Sequence, residues 1–248
     1  MNSLNEEIRV KVRILKHENN LKNEYREYSI LADGFTTVLD ALLEIRESQD
    51  STVQLRYSCR MAMCGSCGMK INGKPKLACQ TMISKMGDQV TIEPMEHVPI
   101  VRDLVPNLDD FFLKYRSVNP YLIEKDVNIQ NNPKAMNVQY PNQVEKYLSS
   151  NYCIQCGLCY SACPIAGSDG HYVGPAALNA AFRYSADSRD FGMKHRLEIV
   201  SGNEGTSRCH FVGECTEVCP KEVYPSYSIQ RLRRGFVKTE IRKLLRKE

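Results

Sequence analysis

The spacing of eleven cysteines constrains this chain more than any other feature of its 248 residues. Eleven is odd, so a fully paired disulfide framework would leave one thiol over. A chain of this length builds one or two domains with cores of their own and has no need of the cross-links that hold very small secreted folds together. Hydrophobic residues make up 42% and charged residues 25% of the sequence, the balance of a soluble globular protein. No apolar run approaches the roughly 20 residues that span a bilayer. The start, MNSLNEEIRVKV, has neither the basic-then-apolar layout of a secretory signal nor the Arg/Ser-rich character of a transit peptide. The expectation is a reducing, cytoplasmic compartment, where clustered cysteines serve metal or redox chemistry.

The cysteines fall into ligand sets. Cys59, Cys64 and Cys67 form C-x4-C-x2-C, and Cys79 follows twelve positions on. That is the plant-type spacing for a 2Fe–2S cluster. The loop from Cys59 to Gly68 must fold around an inorganic core and aim backbone N–H groups at its sulfurs, and Gly65 and Gly68 permit the close approach this needs. Zinc is the competing reading. Its cages commonly use two separated C-x2-C pairs, whereas here the fourth ligand comes singly from a strand.

Cys153, Cys156, Cys159 and Cys163-Pro164 form C-x2-C-x2-C-x3-C-P, the bacterial-ferredoxin run. In two-cluster ferredoxins the first three thiolates of such a run hold one 4Fe–4S cluster and the fourth reaches over to the other. The partner run, Cys209 to Cys219-Pro220, keeps the end-to-end spacing but has Val212 where the second cysteine should stand. Exchanging fourth ligands gives Cys153, Cys156, Cys159 and Cys219 to a 4Fe–4S cluster. Cys163, Cys209 and Cys215 remain for the last, and three thiolates with valine at the fourth corner point to 3Fe–4S. A four-iron cluster with water or another external ligand at that corner is the alternative. Iron, sulfide and thiolate alone offer no place to convert an organic substrate, so the sets read as a wire for single electrons, with chemistry on partner proteins at its ends. No Gly-rich phosphate cradle is present for a nucleotide or flavin.

The net charge of +4 belongs to the C-terminus: residues 229–248 hold eight Lys/Arg against two Glu, leaving −2 on the rest. There Val237, Ile241, Leu244 and Leu245 form an apolar stripe at helical spacing, flanked by Arg242, Lys243, Arg246 and Lys247. The stripe suits a last helix packed on its own domain, or a basic amphipathic end that meets an anionic membrane surface or an acidic subunit. No basic stripe with interleaved aromatics points to nucleic acid.

Along the chain, Ile8, Val10, Val12 and Ile14 alternate as a half-buried strand, with Tyr25–Ile30 returning beside it. Thr37 and Asp40 form a capping box for a helix. Asn72-Gly73 turns a hairpin between Met69–Ile71 and Lys76–Ala78, and Val90–Ile92 closes the sheet. After a boundary within His97–Asn107, helices are expected at Val144–Ser149, Pro175–Tyr184 and Phe191–Val200. The domains are therefore 1–104 and 105–248, in an α+β chain.

With these residues in place, the chain resembles the iron–sulfur subunit of succinate dehydrogenase and fumarate reductase complexes over nearly its whole length. The resemblance rests on the order of the cluster sets and on TVLDAL at 37–42, SCRMAMCGSCGMKINGKPKLAC at 58–79, RDLVPNLDDFF at 102–112 and DSRD at 187–190. It implies an N-terminal β-grasp, plant-type ferredoxin-like domain followed by an all-α, bacterial-ferredoxin-like domain. It also implies a partner flavoprotein whose FAD oxidises succinate, membrane anchor subunits, and a quinone as acceptor. Such a subunit sits peripherally on the cytoplasmic side of the cell membrane. Pro164 and His210 match family positions beside the three-iron cluster and are candidate quinone contacts, His210 alternatively a hydrogen-bond donor to sulfur. The chain departs from well-known members in lacking a tryptophan after Cys163-Pro164, where it reads Ile-Ala-Gly-Ser. Competing functions are a fumarate reductase using a thiol or other non-quinone donor, and a free-standing electron carrier.

Overall fold

A computed structural model describes residues 7–17, 23–124, 132 and 136–245, without the side chains of 239–245. The chain forms two compact units, Met1–Leu108 with Ile154–Ala162, and Asp109–Cys153 with Cys163–Glu248. The first unit thus runs a few residues past 104 and takes in a nine-residue piece of the second cysteine run.

The first unit is a five-stranded sheet with one helix. Strand β1 (Ile8–Lys16) lies antiparallel to β2 (Glu24–Ala32), with Val12 opposite Tyr28. Alternation decides its register, since Val10, Val12 and Ile14 are fully buried while their neighbours face outward. Helix α1 (Val38–Ser48) starts at Thr37, whose hydroxyl accepts from the Asp40 N–H while Asp40 accepts from the Thr37 N–H, both at 3.1 Å. Its Leu39, Leu42 and Ile45 enter the core. Strands β3 (Gly68–Ile71) and β4 (Lys74–Leu77) form the expected hairpin, turning through Asn72 and Gly73 at φ 47° and 77°. Strand β5 (Gln89–Glu93) is the central strand that joins the two hairpins, parallel to β1 and antiparallel to β3.

The stretch His97–Asn107, within which the boundary is expected, has regular structure of its own. It holds a ribbon of β6 (Ile100–Arg102) and β7 (Val105–Pro106) around Asp103 at φ 45°. Asp103 is fully buried and accepts from Lys16 Nζ at 3.0 Å and from the N–H groups of His17 and Gln54. Strands of three and two residues are too short to show a period, so a reading based on prolines and missing periodicity finds only a boundary.

Among its described residues the second unit contains helices and turns only. Its longer elements are α2 (Asp109–Ser117), α3 (Pro175–Ser185), α4 (Met193–Val200) and α5 (Pro225–Leu245). Helix α3 begins with Pro175 in its first turn and buries eight of its eleven residues. Arg196 on α4 is buried completely, its guanidinium bonded to both Asp190 oxygens and to the Asn119 and Tyr121 carbonyls. The helix expected at Val144–Ser149 is instead two single turns, Pro141–Val144 and Leu148–Asn151. Between them Tyr147 leaves helical geometry to bury its ring, and its hydroxyl donates to Gln139 Oε1 at 2.6 Å. Most of the apolar stripe expected on the last helix lies outside the described residues, although α5 itself runs to Leu245. No helix among the described residues is long and apolar enough to cross a membrane.

Candidate metal centres

The first ligand set is wrapped by its own backbone. Arg60, Ala62 and Gly65 adopt left-handed φ values of 55°, 56° and 73°, which curls the loop so that N–H groups point inward. The N–H groups of Met61, Met63 and Cys64 donate to Cys59 Sγ at 3.3–3.4 Å, and those of Cys59 and Ser66 to Cys64 Sγ at 3.5 Å. Ala62 donates to Cys79 Sγ at 3.3 Å. Cys67 ends the loop at the start of β3, and Cys79 follows β4, with the Ala78 N–H bonded to the Cys67 carbonyl.

The chemistry of this set is that of a site for thiolates. The Cys59 N–H, joined by Ser66, stabilises the ionised form of Cys64 and lowers its pKa to about 6. Cys67 is pushed up to about 12, first by burial and then by the charges of Cys79 and Cys64 beside it. A cationic iron–sulfide core relieves that crowding, because it supplies the positive charge which adjacent thiolates otherwise lack. The four cysteines and their ring of N–H donors fit a 2Fe–2S cluster.

Gly65 has a second duty that its motif does not announce. A Cβ built on it would stand 2.7 Å from Cys156 Cβ and 2.9 Å from Cys156 Cα. Within the first unit, therefore, the wrapping loop of the first set rests directly against a ligand of the second. Nothing but glycine fits, by space as well as by φ.

The second set divides between the units: Cys156 and Cys159 belong to the first, Cys153 and Cys219 to the second. Gln155 and Gly157 flank Cys156 with left-handed φ values of 55° and 80°. Cys219 Sγ accepts from the Val223 N–H at 3.4 Å.

The third set comes together within the second unit. Cys163, Cys209 and Cys215 line a cavity that, with its mouth, holds about 350 Å³. Cys163 precedes the turn Pro164–Ser168, whereas Cys215 sits in the turn Glu214–Glu217. Cys215 is pushed up to about 11, mainly by burial and then by the charges of Cys163 and Cys209. Burial, followed by the charge of Cys209, raises Cys163 as well. Val212 also lines the cavity, 58% exposed, between Phe211 and Gly213 at φ 59° and 97°. Pro164 and His210 complete the rim, both exposed. Three converging thiols with an aliphatic side chain at the remaining edge fit an iron–sulfur core with one corner lacking a protein ligand.

Tyr172 escapes a sequence reading altogether. It is 1% exposed and lines the same cavity. Burial and the charges of Cys209, Cys163 and Cys215 raise its phenol. A tyrosine in His171-Tyr172-Val173 carries no motif that marks it, and only the fold brings it to the sulfur. Among the described residues no three His, Cys, Asp or Glu converge closely enough to hold a single metal ion. A cluster spreads its thiolates around several irons and accommodates a wider set.

A family model described as a 2Fe-2S iron-sulfur cluster binding domain matches residues 9–113, and one described as a 4Fe-4S dicluster domain matches residues 149–223. The fumarate reductase iron-sulfur subunit of Haemophilus influenzae is 42% identical over 212 residues, covering 82% of this chain and 83% of its own. That of Mycobacterium tuberculosis is 39% identical over 225 residues, 89% of each. The mitochondrial succinate dehydrogenase (ubiquinone) iron-sulfur subunit of Dictyostelium discoideum is 38% identical over 224 residues, 87% of this chain and 78% of its own. A chain of the Mycobacterium smegmatis Sdh1 complex in the apo form shares the fold, with a TM-score of 0.86 at 22% identity, covering 95% of this chain and 98% of that one. Identities of 38–42% across more than four fifths of the sequence go well beyond a shared fold, and the chain belongs to the family of succinate dehydrogenase and fumarate reductase iron–sulfur subunits.

Proposed function

We propose that the chain is the electron-transfer subunit of a succinate:quinone oxidoreductase, peripheral on the cytoplasmic face of the cell membrane. Its partners are an FAD-containing flavoprotein and membrane anchor subunits. Each cluster supplies a one-electron carrier, so together they relay electrons from the partner's FAD through 2Fe–2S, 4Fe–4S and 3Fe–4S to quinone. Cys59, Cys64, Cys67 and Cys79 hold the first, Cys153, Cys156, Cys159 and Cys219 the second, and Cys163, Cys209 and Cys215 the third. The two units are read as the β-grasp and bacterial-ferredoxin-like domains of this family.

The observation that carries the reading is the three-thiol cavity with Val212 at its edge. Its rim supports the placement of quinone. Pro164 presents an apolar surface and His210 a ring nitrogen, beside exposed Phe211. A quinone needs that combination, because its ring is apolar and its oxygens take hydrogen bonds. With no tryptophan after Pro164, Ile165 is the apolar side chain that lines the cavity there.

A second reading, fumarate reduction through the same wiring, is favoured by the 42% identity to a fumarate reductase subunit against 38% to the succinate dehydrogenase one. Purification of the native complex with assays in both directions tests these readings. Co-purification with a flavoprotein and succinate-dependent quinone reduction is the expected result. A monomeric chain with no flavoprotein attached would contradict it, and turnover with thiols but with no quinone would move the assignment to a thiol-dependent fumarate reductase.

A further inference from the structure

The basic C-terminal segment is not all available to a partner, because one of its arginines is committed inside the second unit. Arg233 on α5 is half-buried, and the same helix buries Ile229 and Leu232. Its guanidinium reaches three backbone carbonyls of one loop: Nε donates to Thr206 at 2.7 Å, and Nη2 to Ser207 at 3.0 Å and to Cys209 at 2.6 Å. Two of those carbonyls, of Thr206 and Ser207, belong to a short turn, Thr206–Arg208, and the third is that of Cys209, which follows it and whose N–H also donates to the Thr206 carbonyl at 3.3 Å.

Two consequences follow. Each backbone carbonyl oxygen carries partial negative charge and has two lone pairs, so one that accepts within its turn can still take a side-chain donor. Here Cys209, which bears one of these carbonyls, lines a cavity with two further thiols, so carbonyl charge left unneutralised would disfavour adding an electron to any cluster held there. A planar fork with a permanent charge both satisfies the carbonyls and offsets their charge, which the point charge of a lysine does less completely. Cluster potentials respond to net charge and to hydrogen bonding around the ligands.

We infer that Arg233 is a positioning residue of the third centre: it clamps the loop bearing Cys209 and holds the reduction potential of the cluster high. This rests on the three-iron assignment proposed above. The step concerned is the addition of one electron to the oxidised cluster, with no bond or proton transferred.

The test is a redox titration of the three-iron EPR signal in the native complex, comparing wild type with Arg233→Gln, Arg233→Lys and Arg234→Gln. Arg234 is exposed on the same helix and serves as the charge control. Arg233→Gln is expected to weaken reduction of the third cluster about tenfold, ~59 mV for one electron, or to lose that cluster while the other two remain. Arg233→Lys should recover most of the potential, and Arg234→Gln should not move it. A wild-type potential and full three-iron signal in Arg233→Gln would overturn the clamp, as would an equal shift in Arg234→Gln. Where the glutamine variant fails to assemble, Arg233→Lys carries the test: keeping the charge but not the fork, it should lose third-cluster iron faster than wild type on standing, and equal retention overturns the clamp. Absence of the three-iron signal from the wild type would instead defeat the assignment on which the inference stands.

Discussion

At the residue scale, Val212 is the side chain on which the third centre turns. In the proposed assignment it stands where a fourth thiolate would complete the set, and it reaches the cavity lined by Cys163, Cys209 and Cys215. Valine has no donor for iron. Val212→Cys should therefore let the centre take a fourth iron, abolishing the three-iron EPR signal and lowering its potential, because an added thiolate brings negative charge to the cluster. Iron analysis and EPR of the variant complex check this, and an unchanged three-iron signal would place the open corner elsewhere. Tyr172 lines the same cavity, where burial and then the charges of the three thiols raise its phenol.

At the scale of elements, the segment after α3 shows how charge holds the second unit together. The side chain of Asp187 is fully buried and accepts from Arg189 Nε and Nη2 at 2.9 and 2.8 Å, from Arg183 and from Gln139. Burial pushes its carboxyl up, but the Arg189 hydrogen bonds outweigh burial and hold it at about 2. A carboxylate with a depressed pKa stabilises the fold above its ordinary value of about 4, and that contribution is lost as pH falls towards 2. Asp187→Asn should cost roughly 2 kcal/mol near neutral pH, because its arginine partners keep part of their hydration, and should flatten the acid limb of stability. Denaturant melts of the complex between pH 6 and pH 3 measure both; parallel pH profiles for the two proteins would contradict the assignment.

The same segment, DSRD at 187–190, was legible in the sequence only as a resemblance, and its meaning is structural: Asp187 binds arginines, and Asp190 accepts from buried Arg196. Elements with a local code could be read directly. The capping box at Thr37, the Asn72-Gly73 turn and Pro175 at the start of α3 depend on residues within one turn of each other. What depended on distant partners could not be read. The break at Tyr147 follows from burying one ring, and the ordering of 97–107 follows from Lys16, which is far from Asp103 in sequence. At the sites, spacing groups the cysteines into the sets proposed above. The contact of Gly65 with Cys156 and the place of Tyr172 arise only on folding.

At the scale of the whole molecule, eleven cysteines grouped in sets support the proposed reading of this chain as a conductor whose substrates are handled by partners. The second and third sets interleave in sequence, since Cys219 follows all three cysteines of the third, and left-handed residues recur beside the cysteines at Arg60, Ala62, Gln155, Phe211 and Gly213. In the proposed reading the three-thiol cavity, with Pro164 and His210 on its rim, is the exit end of the wire. The central claim is the division of thiolates into four, four and three. Iron analysis together with EPR of the oxidised complex tests it most directly: the account predicts about nine irons per chain and a three-iron signal, whereas about ten irons with no such signal would contradict it.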